Sequence, residues 1–309
     1  MIFDSTISRD TIQKWYKDKP NTTFDDLLGM EALKARLRDE IAQILDPANP
    51  APSRSYFFYG LPGTGKTLAI RAFVRELMDA GYRCISLSGG DSFTSYVGEA
   101  EKTVYTAFQE AMDNAPCVIV LDEIENICLD RFAPSTASHQ MNLTVAILSS
   151  WRAMLRSGKP VILLTASCHP QLVDEMFIRN SRCIRFDLPD AAARSICFSR
   201  MLQNLPLEEG FSFQDMAKAT PNYSFRYLSR LHEEITLLLK DALYSKYTVL
   251  DPDGNVNREA SDKACVEALT SGRFPITRAM FEAALRAYPP SDKSRLLREQ
   301  DDFENRYQF

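Results

Sequence analysis

Apolar positions in the first two thirds of the chain fall into short dense runs separated by longer periodic stretches. Tyr56–Tyr59, Cys84–Leu87, Cys117–Leu121, Val161–Thr165 and Cys183–Phe186 are almost wholly apolar and too short for helices, so they read as strands. The stretches between them carry helical spacing. Strands that alternate with helices predict a parallel sheet covered on both faces. Upstream, Met30–Leu45 reads as a helix that Asp46-Pro-Ala-Asn-Pro-Ala-Pro terminates. Residues 1–20 form a short polar segment with one amphipathic turn around Ile12, Trp15 and Tyr16. Beyond Leu188-Pro-Asp190 the dense runs stop, and Ala191–Leu205, Phe213–Ala219, Phe225–Tyr247 and Thr277–Tyr288 show helical periodicity. The expected organisation is therefore an α/β domain over 21–190 and an all-α domain over 191–309.

Composition sharpens this picture mainly by exclusion. The chain has 309 residues, a net charge of −5 and 45% hydrophobic residues, which is ordinary for a folded chain with a sizeable core. The mild acidity argues against nucleic acid as a partner held by bulk positive charge. Seven cysteines stand without a C-x-x-C pair, so neither a zinc cluster nor a disulfide framework is expected and a reducing, cytoplasmic setting is. No apolar run is long enough to span a bilayer, and Met1-Ile-Phe-Asp-Ser does not open like a signal peptide, so no membrane anchor is expected.

Chemistry enters at the end of the first run. Gly60-Leu61-Pro62-Gly63-Thr64-Gly65-Lys66-Thr67 matches G-x-x-x-x-G-K-[ST] between a predicted strand and a predicted helix. Glycines at this spacing let backbone N–H groups converge on phosphate oxygens, and the helix N-terminus adds partial positive charge. Lys66 supplies a point charge for the β- and γ-phosphates, and Thr67 a hydroxyl for Mg²⁺. The third run ends in Asp122-Glu123, two carboxylates at the C-terminal edge of a buried strand, where open α/β sheets bind ligands. Asp122 is the candidate Mg²⁺ ligand and Glu123 the candidate group that polarises the attacking water. ATP with Mg²⁺ is the implied nucleotide.

With these motifs in place, the sequence resembles the classical branch of the AAA+ ATPases, in particular single-module members of the katanin, spastin and ESCRT-disassembly kind. Thr23-Phe-Asp-Asp-Leu-Leu-Gly29 resembles the family's entry segment, whose backbone around the glycine contacts adenine. The resemblance implies a P-loop α/β domain followed by a helical lid. It also implies several site residues. Cys168 falls where the family carries a polar residue, usually Asn, that orients the water; a thiol is a weaker partner, so Ser167 or Thr165 substitutes or hydrolysis is slow. Arg179 and Arg182 have the spacing of the family's arginine fingers, which act on a neighbour's nucleotide and hence imply an oligomer. Asn180-Ser181 departs from the usual Pro-Gly between them and leaves open which arginine is the stronger finger. Arg226 sits where clamp-loader and initiator relatives carry a lid arginine that reaches the γ-phosphate in cis.

Tyr96-Val97-Gly98-Glu99, with Lys102 beyond it, resembles the family's first pore loop, in which an aromatic grips a threaded polypeptide without sequence-specific contacts. A second pore segment would fall over 131–140, where His139 is the notable residue. Asp251-Pro-Asp-Gly-Asn lacks glycine at the sixth position of a calcium loop and reads as a turn. The expectation is thus an ATP-hydrolysing ring, a hexamer of identical subunits, that unfolds or disassembles protein substrates by threading. The alternatives are an ATP-controlled oligomeric switch or loader, and the ATPase subunit of a partner effector such as a protease or nuclease. The module takes up nearly all of the sequence, so an adaptor or effector partner is expected to choose the substrate.

Overall fold

The computed structural model describes residues 7–87, 99–132, 138–289 and 294–307. Five strands, β1 (Ser55–Gly60), β2 (Arg83–Leu87), β3 (Cys117–Leu121), β4 (Val161–Ser167) and β5 (Arg182–Phe186), form one parallel sheet in the order β2-β3-β4-β1-β5. The helices are α1 (Arg9–Trp15), α2 (Glu31–Leu45), α3 (Lys66–Asp79), α4 (Glu99–Asp113), α5 (Ser138–Arg156), α6 (Glu175–Arg179), α7 (Ala191–Met201), α8 (Phe213–Ala219), α9 (Phe225–Tyr247), α10 (Arg258–Thr270), α11 (Arg278–Ala287) and α12 (Ser294–Tyr307). The α/β expectation and the helical C-terminal part hold.

The aromatic run of β1 is buried at every position because both of its faces are covered. Phe57 and Tyr59 point to one core, with Ile119, Leu121, Leu163 and Phe177. Tyr56 and Phe58 point the other way, each against Phe73 of α3. β1 ends at Gly60, which pairs with Phe186 at φ 147°. A Cβ there would stand 2.2 Å from the Phe186 carbonyl oxygen, so both the backbone angle and the close approach require glycine. Gly60→Ala is expected to destabilise the protein by about 1–3 kcal/mol. Gly81→Ala is the control: its backbone is also left-handed, but a Cβ there meets nothing within 4 Å. Urea unfolding of the two variants measures the difference, and equal losses would remove the steric explanation.

The chain divides into two compact units. The first comprises Met1–Leu27, Glu31–Asp187 and Lys293–Phe309, the second Leu28–Met30 and Leu188–Asp292. This departs from the contiguous division at 190/191 in two places. The C-terminal helix α12 belongs to the α/β unit because Phe303, 2% exposed, packs its ring against Tyr59 and Glu304 pairs with Arg185 of β5. Leu28–Met30 belongs to the helical unit, where Leu28 packs on its core and a Cβ on Gly29 would stand 2.5 Å from Ala193 Cα. The N-terminal segment also belongs to the α/β unit. Trp15 is buried, the Lys17 amide donates to the Cys84 carbonyl, and Tyr16 forms a bridge with Ile85 of the edge strand β2.

In the helical unit, α9 presents Leu228, Leu231, Ile235, Leu239 and Leu243 along one stripe, packed with Phe198, Met216, Tyr223 and Phe281. Asp251 Oδ1 accepts the Asp253 and Asn255 amides, closing the turn between α9 and α10. No helix among the described residues is long and apolar enough to cross a membrane.

Candidate nucleotide site

The strand order decides what can meet. β4 lies between β1 and β3, so the C-terminal ends of these three strands share one edge. The phosphate loop leaves β1, the Asp122-Glu123 pair leaves β3, and Ser167-Cys168 closes β4 between them. Register confirms the juxtaposition, with Tyr59 opposite Ser167 and Leu121 opposite Thr165.

Gly65 is the N-cap of α3 in a left-handed conformation, φ 97°, and no side chain caps that helix end. Its first-turn amides therefore face the loop, an arrangement that suits a phosphate anion. The loop is held from inside: Thr64 Oγ1 donates to the Leu61 carbonyl at 2.8 Å. Lys66 is 6% exposed and donates through Nζ to the carbonyls of Gly60 at 2.8 Å and Leu61 at 2.9 Å. Leu61 is buried, while Pro62 and Gly63 are half-buried at the surface of the loop.

Thr67 Oγ1 donates to Asp122 Oδ2 at 2.8 Å. This contact joins the phosphate loop to the carboxylate strand, two elements 55 residues apart in sequence. A hydroxyl and a carboxylate side by side form the hard oxygen donor set that Mg²⁺ prefers, so the residues fit that ion. Asp122 Oδ1 accepts the Glu123 amide at 3.0 Å. Glu123 itself is exposed and sits at φ 53°, ψ 48°, a left-handed conformation that costs a non-glycine residue about 1–3 kcal/mol. Asn126 Nδ2 donates to Glu123 Oε2 at 3.3 Å.

The three residues expected at the water-orienting position each make a hydrogen bond within the sheet edge. Thr165 is fully buried and donates to the Tyr56 carbonyl. Ser167 is 1% exposed and its Oγ accepts the His169 amide at 3.0 Å. Burial pushes the Cys168 thiol above its ordinary pKa, and the nearby Lys66 ammonium pulls it part of the way back. The Cys168 amide donates to Glu125 Oε1 at 3.0 Å. Glu125, 7% exposed, thereby becomes a member of the site that its position three residues after Asp122 did not announce, and its Oε2 has no hydrogen-bond partner among the described residues.

The two finger candidates differ in how they are held. Arg182 Nε donates to Glu40 Oε1 at 2.8 Å, and the Glu40 side chain is 4% exposed. Arg179 ends the short helix α6, which Asp174 caps through the Met176 amide. Asp174 is 1% exposed and accepts Arg131 Nε at 2.7 Å, a contact that no motif pointed to. Arg179 Nε donates to Glu175, and its Cζ lies 5.4 Å from the Tyr307 ring centroid. Among the described residues, its terminal nitrogens have no partner.

Arg226 is exposed in the first turn of α9. Tyr96, Val97 and Gly98 lie outside the described residues, as do 133–137 of the second pore segment.

A phosphate loop after β1, a carboxylate strand two positions away in a parallel sheet and a threonine-aspartate contact between them define a P-loop nucleoside triphosphatase. Comparison with known proteins narrows the class. Residues 56–189 match the family "ATPase family associated with various cellular activities (AAA)", and this part of the chain is an AAA ATPase domain. It is 26% identical over 293 residues to the protein SAV of Sulfolobus acidocaldarius, covering 91% of this chain and 37% of that one. It is 29% identical over 281 residues to a Cell division cycle protein 48 homolog of Archaeoglobus fulgidus, covering 88% and 36%. An ATP-dependent zinc metalloprotease FtsH 1 of Thermomicrobium roseum is 30% identical over 230 residues, covering 72% and 35%. The chain thus spans little more than a third of these relatives. The crystal structure of the FIGL-1 AAA domain in complex with ADP has the same fold, with a TM-score of 0.74 and 18% identity over 98% of both chains.

Proposed function

We propose that this chain is the ATPase subunit of a homo-oligomeric ring, six-membered by analogy with the family, that uses ATP hydrolysis to remodel or disassemble protein substrates. The observation that carries the catalytic half is the Thr67–Asp122 hydrogen bond, because it assembles the oxygen pair for Mg²⁺ beside Lys66 and Glu123. When bound, Mg²⁺ would neutralise charge developing on the β- and γ-phosphate oxygens.

In this reading Lys66 exchanges its two carbonyl partners for phosphate oxygens. The amides at the start of α3 hold the phosphates in place, and Glu123 accepts a proton from the attacking water as it is oriented. The carbonyls of Gly60 and Leu61 are uncharged, so the lysine gains by the exchange.

The ring half is supported by Arg179, whose unpartnered terminal nitrogens at an exposed helix end suit a phosphate supplied from outside the subunit. Arg182 is less suited, because drawing it away would strand the buried Glu40 carboxylate. Mixing Lys66→Ala subunits, which lack a working site, with Arg179→Ala subunits, which lack the finger, tests sharing between neighbours. Each alone is expected to be inactive, and the mixture to recover ATPase activity at interfaces that combine an intact site with an intact finger. No recovery on mixing would overturn action in trans.

Threading rests on the likeness of Tyr96-Val97-Gly98 to a pore loop and is tested separately. Polypeptides captured by a Glu123→Gln trap serve as substrates, and Tyr96→Ala is expected to abolish their ATP-dependent processing. Intact processing by that variant would remove the threading mechanism.

A further inference from the structure

The last helix of the α/β unit reaches the finger segment. α12 is seated by Phe303, whose ring meets Tyr59 edge-on at 5.2 Å, and by Gln171, which donates to Glu299 at 3.0 Å. Tyr307, one turn further along, packs on Phe303 with ring centroids 5.0 Å apart. Its ring also lies beneath the Arg179 guanidinium, at 5.4 Å from centroid to Cζ.

Arg179 is therefore held by two contacts of different kinds. The Glu175 carboxylate takes Nε from one turn earlier on α6. The aromatic face of Tyr307 lies under the guanidinium carbon. The side chain is nevertheless 57% exposed, and an arginine so exposed ordinarily samples many rotamers. With Nε bonded to Glu175 and the guanidinium over the Tyr307 ring, the two terminal nitrogens, which have no hydrogen-bond partner among the described residues, are left as a fork for a ligand. That is the end of the guanidinium that matches a phosphate. Among the described residues Arg182 receives no such support from α12; its contact is with Glu40 of α2.

From this geometry we infer that Tyr307 is a positioning residue for Arg179: its ring orders the guanidinium so that the fork is presented to a neighbouring subunit's γ-phosphate. α12, rather than the lid, thereby sets the readiness of the finger. The inference rests on the reading of Arg179 as a finger that acts in trans.

The test is the steady-state ATPase of the full chain at saturating ATP, with affinity for a fluorescent ATP analogue and thermal melting measured alongside. Tyr307→Leu keeps an apolar contact for Phe303 but removes the aromatic face, and is expected to lower kcat about two- to fivefold with affinity unchanged. Tyr307→Phe retains the face and is expected to match the wild type. In an Arg179→Ala background, Tyr307→Leu is expected to have no further effect, which a merely structural role would not produce. An additive loss in that background, a wild-type kcat for Tyr307→Leu, or an equal loss for Tyr307→Phe would each overturn the inference. A wild-type kcat for Arg179→Ala would remove the finger reading and this inference together. A loss with Arg179→Ala but none with Tyr307→Leu would remove this inference alone.

Discussion

Glu123→Gln is expected to lower kcat by about 10²–10⁴-fold while ATP affinity stays the same. The substitution is nearly isosteric and removes only the ability to accept a proton. Three features of the site argue that nothing else changes. The left-handed backbone at Glu123 is held by the hydrogen bond its amide donates to Asp122 Oδ1, which the variant keeps. Asn126 donates to a side-chain oxygen that an amide still provides. The residue is exposed, so no buried charge is lost. Nucleotide titration with single-turnover hydrolysis separates the two effects. A variant that hydrolyses at the wild-type rate would end the assignment of Glu123, and one that fails to bind ATP would show that its role is structural.

Arg179→Ala is expected to cost about 10³-fold or more in kcat, the range seen when an arginine finger is removed from related phosphoryl transfer. Its folding stability should barely move, because the contacts it loses are an exposed ion pair and one cation–π contact of an exposed side chain. Arg182→Ala is expected to show the reverse emphasis. Glu40, 4% exposed, loses its charged partner and, among the described residues, keeps the Tyr56 hydroxyl alone, so melting falls clearly. The comparison settles the question that Asn180-Ser181 leaves open in the sequence. A larger kcat loss for Arg182→Ala at unchanged stability would reverse the assignment of the main finger.

The fold was largely legible because its strands announce themselves. A parallel strand covered on both faces must be apolar at nearly every position, and β1, β3 and β4 are. The phosphate loop was legible because its chemistry demands fixed spacing. Other features carry no such signature. α10 escaped notice because its buried positions are Ser261, Cys265 and Ala268, helically spaced but too small to stand out as an apolar stripe. α12 escaped because Ser294–Tyr307 is dominated by charged residues, and its membership of the α/β unit depends on Phe303 meeting Tyr59 across 244 positions of chain. Periodicity reports which face of a helix is apolar but not where that face goes. Glu125 was missed for the opposite reason: next to two functional acids, a third looks like solvated surface, and only burial and the Cys168 amide reveal it. The departure at Cys168 was visible from the sequence, whereas the backbone bond that anchors it was not.

The return of residues 293–309 to the α/β unit has a consequence for synthesis. Chains emerge from the ribosome N-terminus first, and domains usually fold in that order. Here the first unit to begin is the last to be finished. The helical unit, complete at Asp292, has all its own residues before α12 leaves the exit tunnel. Until then the aromatic cluster around Tyr59 lacks Phe303, and Arg179 lacks Tyr307. A nascent chain can thus own a complete phosphate loop and carboxylate strand while its finger remains unsupported. Completion of the nucleotide pocket and support of the proposed finger are thus separate steps, the second waiting for α12.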